Sequence, residues 1–236
     1  VIWLTSGIIT RVRKEGRINL TEVESKLLLK EIGIATNEAE LATSKDEAVS
    51  ISAKMGYPVV LKVVSKDILH KSDIGGVKLG LGSRDEVTKA YDEIMALAKQ
   101  KAVNAIIDGV SVQPMAKPGV EVIIGMFKDN QFGPVVMFGI GGELVEVYKD
   151  VSFGIVPIPK RYAKQMIKDL NGYPLLEGYR GRDPVDIALL EDMLLKLSDF
   201  AKANPGIKEV DINPIIAYTD NAVAVDAKII LEPNGS

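Results

Sequence analysis

The sequence predicts an α+β protein built as two lobes, and three observations predict it. In the first half, the helix-start signatures Thr21-x-x-Glu24, Ser44-x-x-Glu47 and Ser83-x-x-Glu86 alternate with strand-like runs. Between residues 110 and 158, strand-like runs follow one another at short intervals, as in an antiparallel meander. The pattern changes at Gln113-Pro114-Met115, which marks a hinge between a hairpin lobe (about 43–112) and the meander lobe, with a cleft between them. A chain of 236 residues, 47% apolar and 26% charged, can bury a full core of this kind.

Taken in order, residues 1–17 form an N-terminal extension. Its apolar VIWLTSGIIT precedes the basic Arg11, Arg13 and Lys14, the reverse of a signal peptide, and reads as a strand or arm packed on the domain or as a partner-binding arm. Trp3 with Ile2 and Leu4 is a patch on which a partner would dock. Thr21-x-x-Glu24 opens a helix whose apolar stripe is Val23, Leu27, Leu28 and Ile32, closed by Gly33. Ser44 opens a second helix that ends at Gly56, and Ser83 a third that runs to about Lys101. Strands are expected at 110–115, 120–127, 132–139, 143–150 and 151–158, with Asp129-Asn130 turning between the second and third. A helix over about 159–170 and a long one opened by Asp183-Pro184 follow, then short strands at 207–212, 214–218 and 222–231.

Composition excludes several classes of function. A net charge of −3 and a pI near 5.4 argue against nucleic acid as a partner. Without cysteine there is no disulfide framework, no thiol nucleophile and no thiolate metal site, so a metal would take oxygen ligands or His70, the chain's one histidine, and Mg²⁺ suits oxygen best. No stretch reaches the ~18 apolar residues of a membrane helix, and the composition is compatible with a cytoplasmic protein that has no membrane partner.

The most informative stretch is YPVVLKVVSKDILHKSDIGGVKLGLG, residues 57–82. Its β-branched run presents a single cation, Lys62, as to a phosphate. Gly75-Gly76 allow a close backbone approach that points N–H groups at an anion, and Lys78 stands on the returning strand. This is neither a P-loop nor a dinucleotide fingerprint, and a plain hairpin with a solvated lysine is the alternative. His70 lies in a polar, glycine-flanked loop beside Lys71 and Asp73; a neutral imidazole is a competent phosphoryl carrier, with Lys71 and Lys78 to offset the charge and Asp73 or Asp211 to orient the ring. Near the C-terminus, Asp211 and Asn213 share a strand face and Asp226 follows, three oxygen side chains suited to Mg²⁺ or simply strand-end residues. Gln113, Pro114 and Met115, with Glu121, read as a linker that meets a base and a ribose, or as core plus a solvated acid. Gly139, Gly141, Gly142 and Glu143 form a second glycine turn, and Arg180 and Arg182 precede a helix, facing an anion or solvent.

Taken together, the Lys62 strand, the IGGVKLGL hairpin, the QPM linker with Glu121, and EVDINP followed by AVDAKI resemble the ATP-grasp fold. More narrowly, PVVLKVVSKDILHKSDIGGVKLGL and GYRGRDPVD are similar to the β subunit of NDP-forming acyl-CoA synthetases, the archaeal ADP-forming acetate–CoA ligases, over residues 18–231. The resemblance implies two α+β lobes gripping a nucleotide: Lys62, Gly75, Gly76 and Lys78 on the phosphates, Gln113, Pro114 and Met115 at the adenine, Glu121 at the ribose. It implies Asn213 and Asp226 as Mg²⁺ ligands; His70 and Asp211, which stands just behind them, are the candidate catalytic residues. The family reaction interconverts acyl-CoA, ADP and phosphate with carboxylate, CoA and ATP through an acyl phosphate and a phosphohistidine. A separate CoA-binding α subunit is implied as partner, in an α2β2 heterotetramer. The β subunit of a succinate–CoA ligase-like enzyme and a non-catalytic nucleotide-sensing subunit are the alternatives.

Overall fold

Residues 7–68, 71–142 and 149–233 are described in the computed structural model. They divide into two units, a larger one of the residues up to Leu20, Glu24–Thr36 and the chain from Pro118 onward, and a smaller one of Thr21–Val23 and Asn37–Lys117. The division falls after Lys117, whereas the hinge expected at Gln113-Pro114-Met115 lies in and just after a strand.

The described chain begins with helix α1 (Gly7–Lys14) where a strand or arm was expected, and Ile9 and Val12 are buried in the larger unit's core. Helix α2 (Glu22–Glu31) follows. Gly33, at φ 79°, closes it with paired bonds, Gly33 N–H to Lys30 O and Ile34 N–H to Leu29 O. The helix is turned by one position from the expected stripe. Leu27 is 47% exposed, whereas Leu28, Leu29 and Ile32 are buried. Positions 22, 25, 26 and 29 recur at helical spacing, and so Glu22, Ser25 and Lys26 go under with Leu29. Glu24 is held by Arg17 at 2.9 Å and by Arg11 at 3.2 Å.

The smaller unit comprises strand β1 (Glu40–Ala42), helix α3 (Lys45–Met55), β2 (Val59–Ser65), β3 (Val77–Leu81), helix α4 (Arg84–Lys101) and β4 (Ile107–Pro114). Both helices start as the capping boxes predict: Ser44 Oγ accepts from Glu47 N–H and Ser83 Oγ from Glu86 N–H, while the two glutamates accept from Thr43 N–H and Gly82 N–H. The sheet runs β1-β4-β2-β3 with antiparallel ladders. Every residue of β2 is buried. Val59, Leu61 and Val63 join Val87 and Ile94 of α4 and Val110 and Val112 of β4 in one core. Because side chains alternate along a strand, Val60, Lys62 and Val64 point to the other face.

In the larger unit follow β5 (Val120–Asp129), β6 (Gly133–Ile140), β7 (Val151–Ile155), α5 (Lys160–Lys168), α6 (Tyr173–Leu176), a 3₁₀ turn (Tyr179–Gly181), α7 (Ile187–Ala203), β8 (Ile207–Ala217), β9 (Ala222–Ala224) and β10 (Lys228–Leu231). The expected turn is present: Asp129 Oδ1 accepts from Gln131 and Phe132 N–H as β5 reverses into β6. The strand expected at 143–150 falls largely outside the described residues. The antiparallel sheet runs β10-β8-β5-β6-β7, with β9 also on β8, so β8 returns from far along the sequence to lie against β5. The strands expected at 207–212 and 214–218 are one strand, whose ladder with β5 slips a residue between Val122 and Ile124. Phe138, Ile124 and Ile212 pack with Leu190, Leu194 and Leu197 of α7 and with Leu28 and Leu29 of α2. No described helix is long and apolar enough to cross a membrane.

The expected cap of the long helix, Asp183-Pro184, is displaced by Asp186, whose Oδ1 accepts from Leu189 N–H at 3.2 Å. Val185 N–H is taken by Leu176 O and Asp186 N–H by Tyr218 O, which holds the residues after Pro184 out of the helix. Asp186→Ala should therefore lower stability by about 1 kcal/mol, the usual worth of an N-cap. Asp183→Ala should stay within about 0.5 kcal/mol, as for an ordinary surface change. Urea unfolding midpoints of the two variants check this, and equal losses would restore Asp183 as the cap.

Candidate nucleotide-phosphate and metal sites

The alternation that sends Lys62 away from the helices also selects its neighbours. On β4, Val110 and Val112 face the helical core, so Ser111 and Gln113 share the Lys62 face, with Lys62 opposite Ser111 and Val60 opposite Gln113. Lys62 is 4% exposed and Ser111 and Gln113 fully buried. A buried ammonium requires an anion close by, and Glu22 supplies one. One Glu22 oxygen accepts from Lys62 Nζ at 2.8 Å and from Gln113 Nε2 at 2.6 Å. Its other oxygen accepts from Lys71 Nζ. Gln113 Nε2 also donates to Ser111 Oγ at 3.1 Å, and Gln113 Oε1 accepts from Asn37 Nδ2 at 3.3 Å.

Glu22 is the residue that sequence reasoning missed. It lies inside a helix-start signature, and Glu22, Ser25 and Lys26 at helical spacing read as a solvated polar face, so no local signal marks it for burial.

The glycine pair closes its own loop. Gly75 N–H donates to Ser72 O and Gly76 N–H to Lys71 O, both within the loop, and Gly76 O accepts from Val63 N–H at 2.8 Å. Gly75 has φ 73°, which favours glycine. A Cβ on Gly76 would lie 2.6 Å from Val63 Cγ1 and 2.9 Å from Lys71 O. The pair therefore seats the loop, and with it Lys71, against β2. Lys78 is drawn to Glu93 of α4 at 2.6 Å. Met115 N–H is taken by Pro58 O at 3.0 Å, and Met115 itself is exposed after the half-buried Pro114. His70 lies outside the described residues, as do Ile2, Trp3, Leu4 and Glu143.

In the larger unit, Lys228 of β10 pairs with Asp211 and Ala224 of β9 with Ile215, both antiparallel on β8. Asn213 lies between these two ladders on β8, and Asp226 lies between them in the connection from β9 to β10, whose Val225 N–H donates to Pro214 O at 2.9 Å. Burial raises the Asp211 carboxyl above its ordinary pKa; Lys228 pulls it back, and Glu209 and Asp226 push it further up. An Asn amide oxygen beside carboxylates that already repel one another fits a hard divalent cation. Among the described residues no three His, Cys, Asp or Glu side chains cluster as a metal site, so Asn213 is essential to this candidate. Glu121 is exposed on β5, its backbone O accepting from Gly141 N–H at 2.7 Å. Arg180, at φ 56°, stacks over the Tyr179 ring 5.3 Å away.

The ATP-grasp domain model matches residues 11–231. The β subunit of ADP-forming acetate–CoA ligase I of Pyrococcus furiosus is 47% identical over 224 residues, 95% of this chain and 96% of that one. The chain belongs to the ATP-grasp family, among the β subunits of ADP-forming acetate–CoA ligases. Its fold is that of the dinucleotide-forming acetyl-coenzyme A synthetase 1 of Ca. Korarchaeum cryptofilum in complex with coenzyme A, Ca-AMPCP and HgCl⁺, with a TM-score of 0.92, 46% identity, and 95% of this chain and 98% of that one covered. A further structure of that enzyme, with coenzyme A and Mg-AMPPCP, has its phosphohistidine segment pointing towards the nucleotide binding site; its TM-score is 0.83 at 43% identity, again covering 95% and 98%. The family is one of acid–thiol ligases, and the β-subunit relationship implies an α-type partner.

Gly76→Ala should cost about 1–3 kcal/mol through overpacking against Val63 and the Lys71 carbonyl. The urea midpoint reads this loss, and an unchanged midpoint would show that the loop shifts freely to admit a methyl group.

Proposed function

We propose that this chain is the nucleotide-binding subunit of an ADP-forming acyl-CoA synthetase, acting with a CoA-binding α subunit in an α2β2 assembly. The observation that carries the reading is the buried Lys62 ammonium on a sheet face with Gln113 and Ser111, in a chain of this family. In this reading Lys62, with Lys78 and the loop of Gly75 and Gly76, serves the phosphates, Gln113, Pro114 and Met115 the adenine, and Glu121 the ribose. Asn213 and Asp226 hold Mg²⁺, which when bound offsets phosphate charge, and Asp211 stands behind them.

On the partner, phosphate displaces the CoA thiolate from acyl-CoA to give an acyl phosphate. Its phosphoryl group passes to a histidine of the partner as the carboxylate leaves, and then to His70. A ring nitrogen of His70 attacks phosphorus with its lone pair, and the P–N bond to the partner's imidazole breaks. A terminal oxygen of ADP then attacks phosphorus, the P–N bond to His70 breaks, and ATP forms. Lys62 offsets the charge gathered on the phosphoryl oxygens. A carrier is required because the acyl phosphate forms on the partner while ADP waits on this chain.

Supplied with acyl-CoA, ADP, Mg²⁺ and labelled phosphate together with an α partner, His70→Ala should leave label on the partner and yield no ATP; normal ATP formation would remove His70 from the relay. Asp226→Ala should keep the fold, by an unchanged unfolding midpoint, and lose Mg²⁺-dependent phosphoryl transfer by about a hundredfold or more, the scale of removing one charge-stabilising group from a reaction centre. Full activity in that variant would mean the metal is held elsewhere.

A further inference from the structure

Glu22 is a buried acid for which the proposed reaction has no use, and it is bound to two of the side chains on which that reaction depends. Its carboxylate, 1% exposed, receives Lys62 at 2.8 Å and Gln113 at 2.6 Å on one oxygen and Lys71 on the other. These donors come from β2, from β4 and from the loop that leads back to β3, so one carboxylate fixes three separate stretches of the smaller unit. Lys62 has four rotatable bonds and an ammonium with three donors. Without an acceptor at a fixed place, that ammonium would sample many rotamers, each at a cost in charge-assisted bonding to a phosphate. With Glu22 on one donor, the ammonium is held at a fixed place.

We infer that Glu22 is a positioning residue for nucleotide phosphate: it holds the Lys62 ammonium, and with it the Gln113 amide, in the orientation that binds ADP. The inference rests on the reading of Lys62 as the phosphate ligand. The arrangement is physically the same as in protein kinases, where a strand lysine reaches ATP phosphates only while a helix glutamate is paired with it. The charges agree with this role. Without Glu22 the two lysines would repel one another.

The test is a double-variant cycle on this chain, titrating Mg·ADP by calorimetry into wild type, Glu22→Gln, Lys62→Met and the pair. Glu22→Gln should weaken ADP at least about tenfold, the scale of losing a charge-assisted hydrogen bond. In the Lys62→Met background the same change should alter affinity by less than about twofold, because Glu22 then has no ammonium to aim. An equal loss in both backgrounds would make Glu22 a purely structural residue and overturn the inference, as would unchanged or tighter binding by Glu22→Gln. If Glu22→Gln does not fold, by its unfolding midpoint, Glu22→Asp replaces it in the same cycle; it keeps the charge but shortens the reach, with the same outcomes expected. Normal ADP affinity in Lys62→Met alone would remove the phosphate reading beneath the inference. A weakened Lys62→Met with an uncoupled Glu22 would remove the inference only.

Discussion

Burying a carboxylate is expensive unless donors replace its water, and the smaller unit is arranged around that requirement at Glu22. Two ammonium groups and an amide converge on it, each delivered by a different element. Removing any one partner would leave the others with an uncompensated buried charge or dipole, a loss of about 3–5 kcal/mol where the partner is an ion. The cluster therefore ties Glu22 to β2, β4 and the glycine loop more tightly than apolar contacts alone.

Two periodicities bring this about. Along β2 and β4 the two-residue repeat divides each strand between an apolar face under α3 and α4 and a polar face with Lys62, Ser111 and Gln113. Along α2 the helical repeat brings Glu22 into line with Ser25, Lys26 and Leu29. In the larger unit the equivalent constraint is register. β10 and β9 both pair with β8, so Asn213 and Asp226 fall in the interval between the two ladders, and Asp226 is close enough to raise the Asp211 pKa.

What was legible in the sequence is what local chemistry decides. Ser44 and Ser83 cap the helices they precede, Asp129 makes its turn, and Lys62 in its β-branched run occupies a wholly buried strand. Tertiary partners decided the rest. Asp186 rather than Asp183 caps α7 because Leu176 and Tyr218 claim the backbone between them. Gly75 and Gly76 look like anion-binding glycines, yet their N–H groups close their own loop and their missing side chains admit Val63 and Leu97. The burial of Glu22 follows from a sheet face that no local pattern around residue 22 contains. The return of β8 to β5 is likewise a pairing across some 90 positions, beyond the reach of turn and strand signals.

The central claim is that nucleotide phosphate binds to a lysine already held by a buried glutamate, with the divalent ion on Asn213 and Asp226. A crystal structure of this chain with Mg·ADP tests it most directly. The account predicts a phosphate oxygen on Lys62 Nζ while the Glu22 contact persists, and Mg²⁺ ligated by Asn213 and Asp226. A nucleotide bound away from Lys62, or a Lys62 that abandons Glu22 to reach the phosphate, would contradict it.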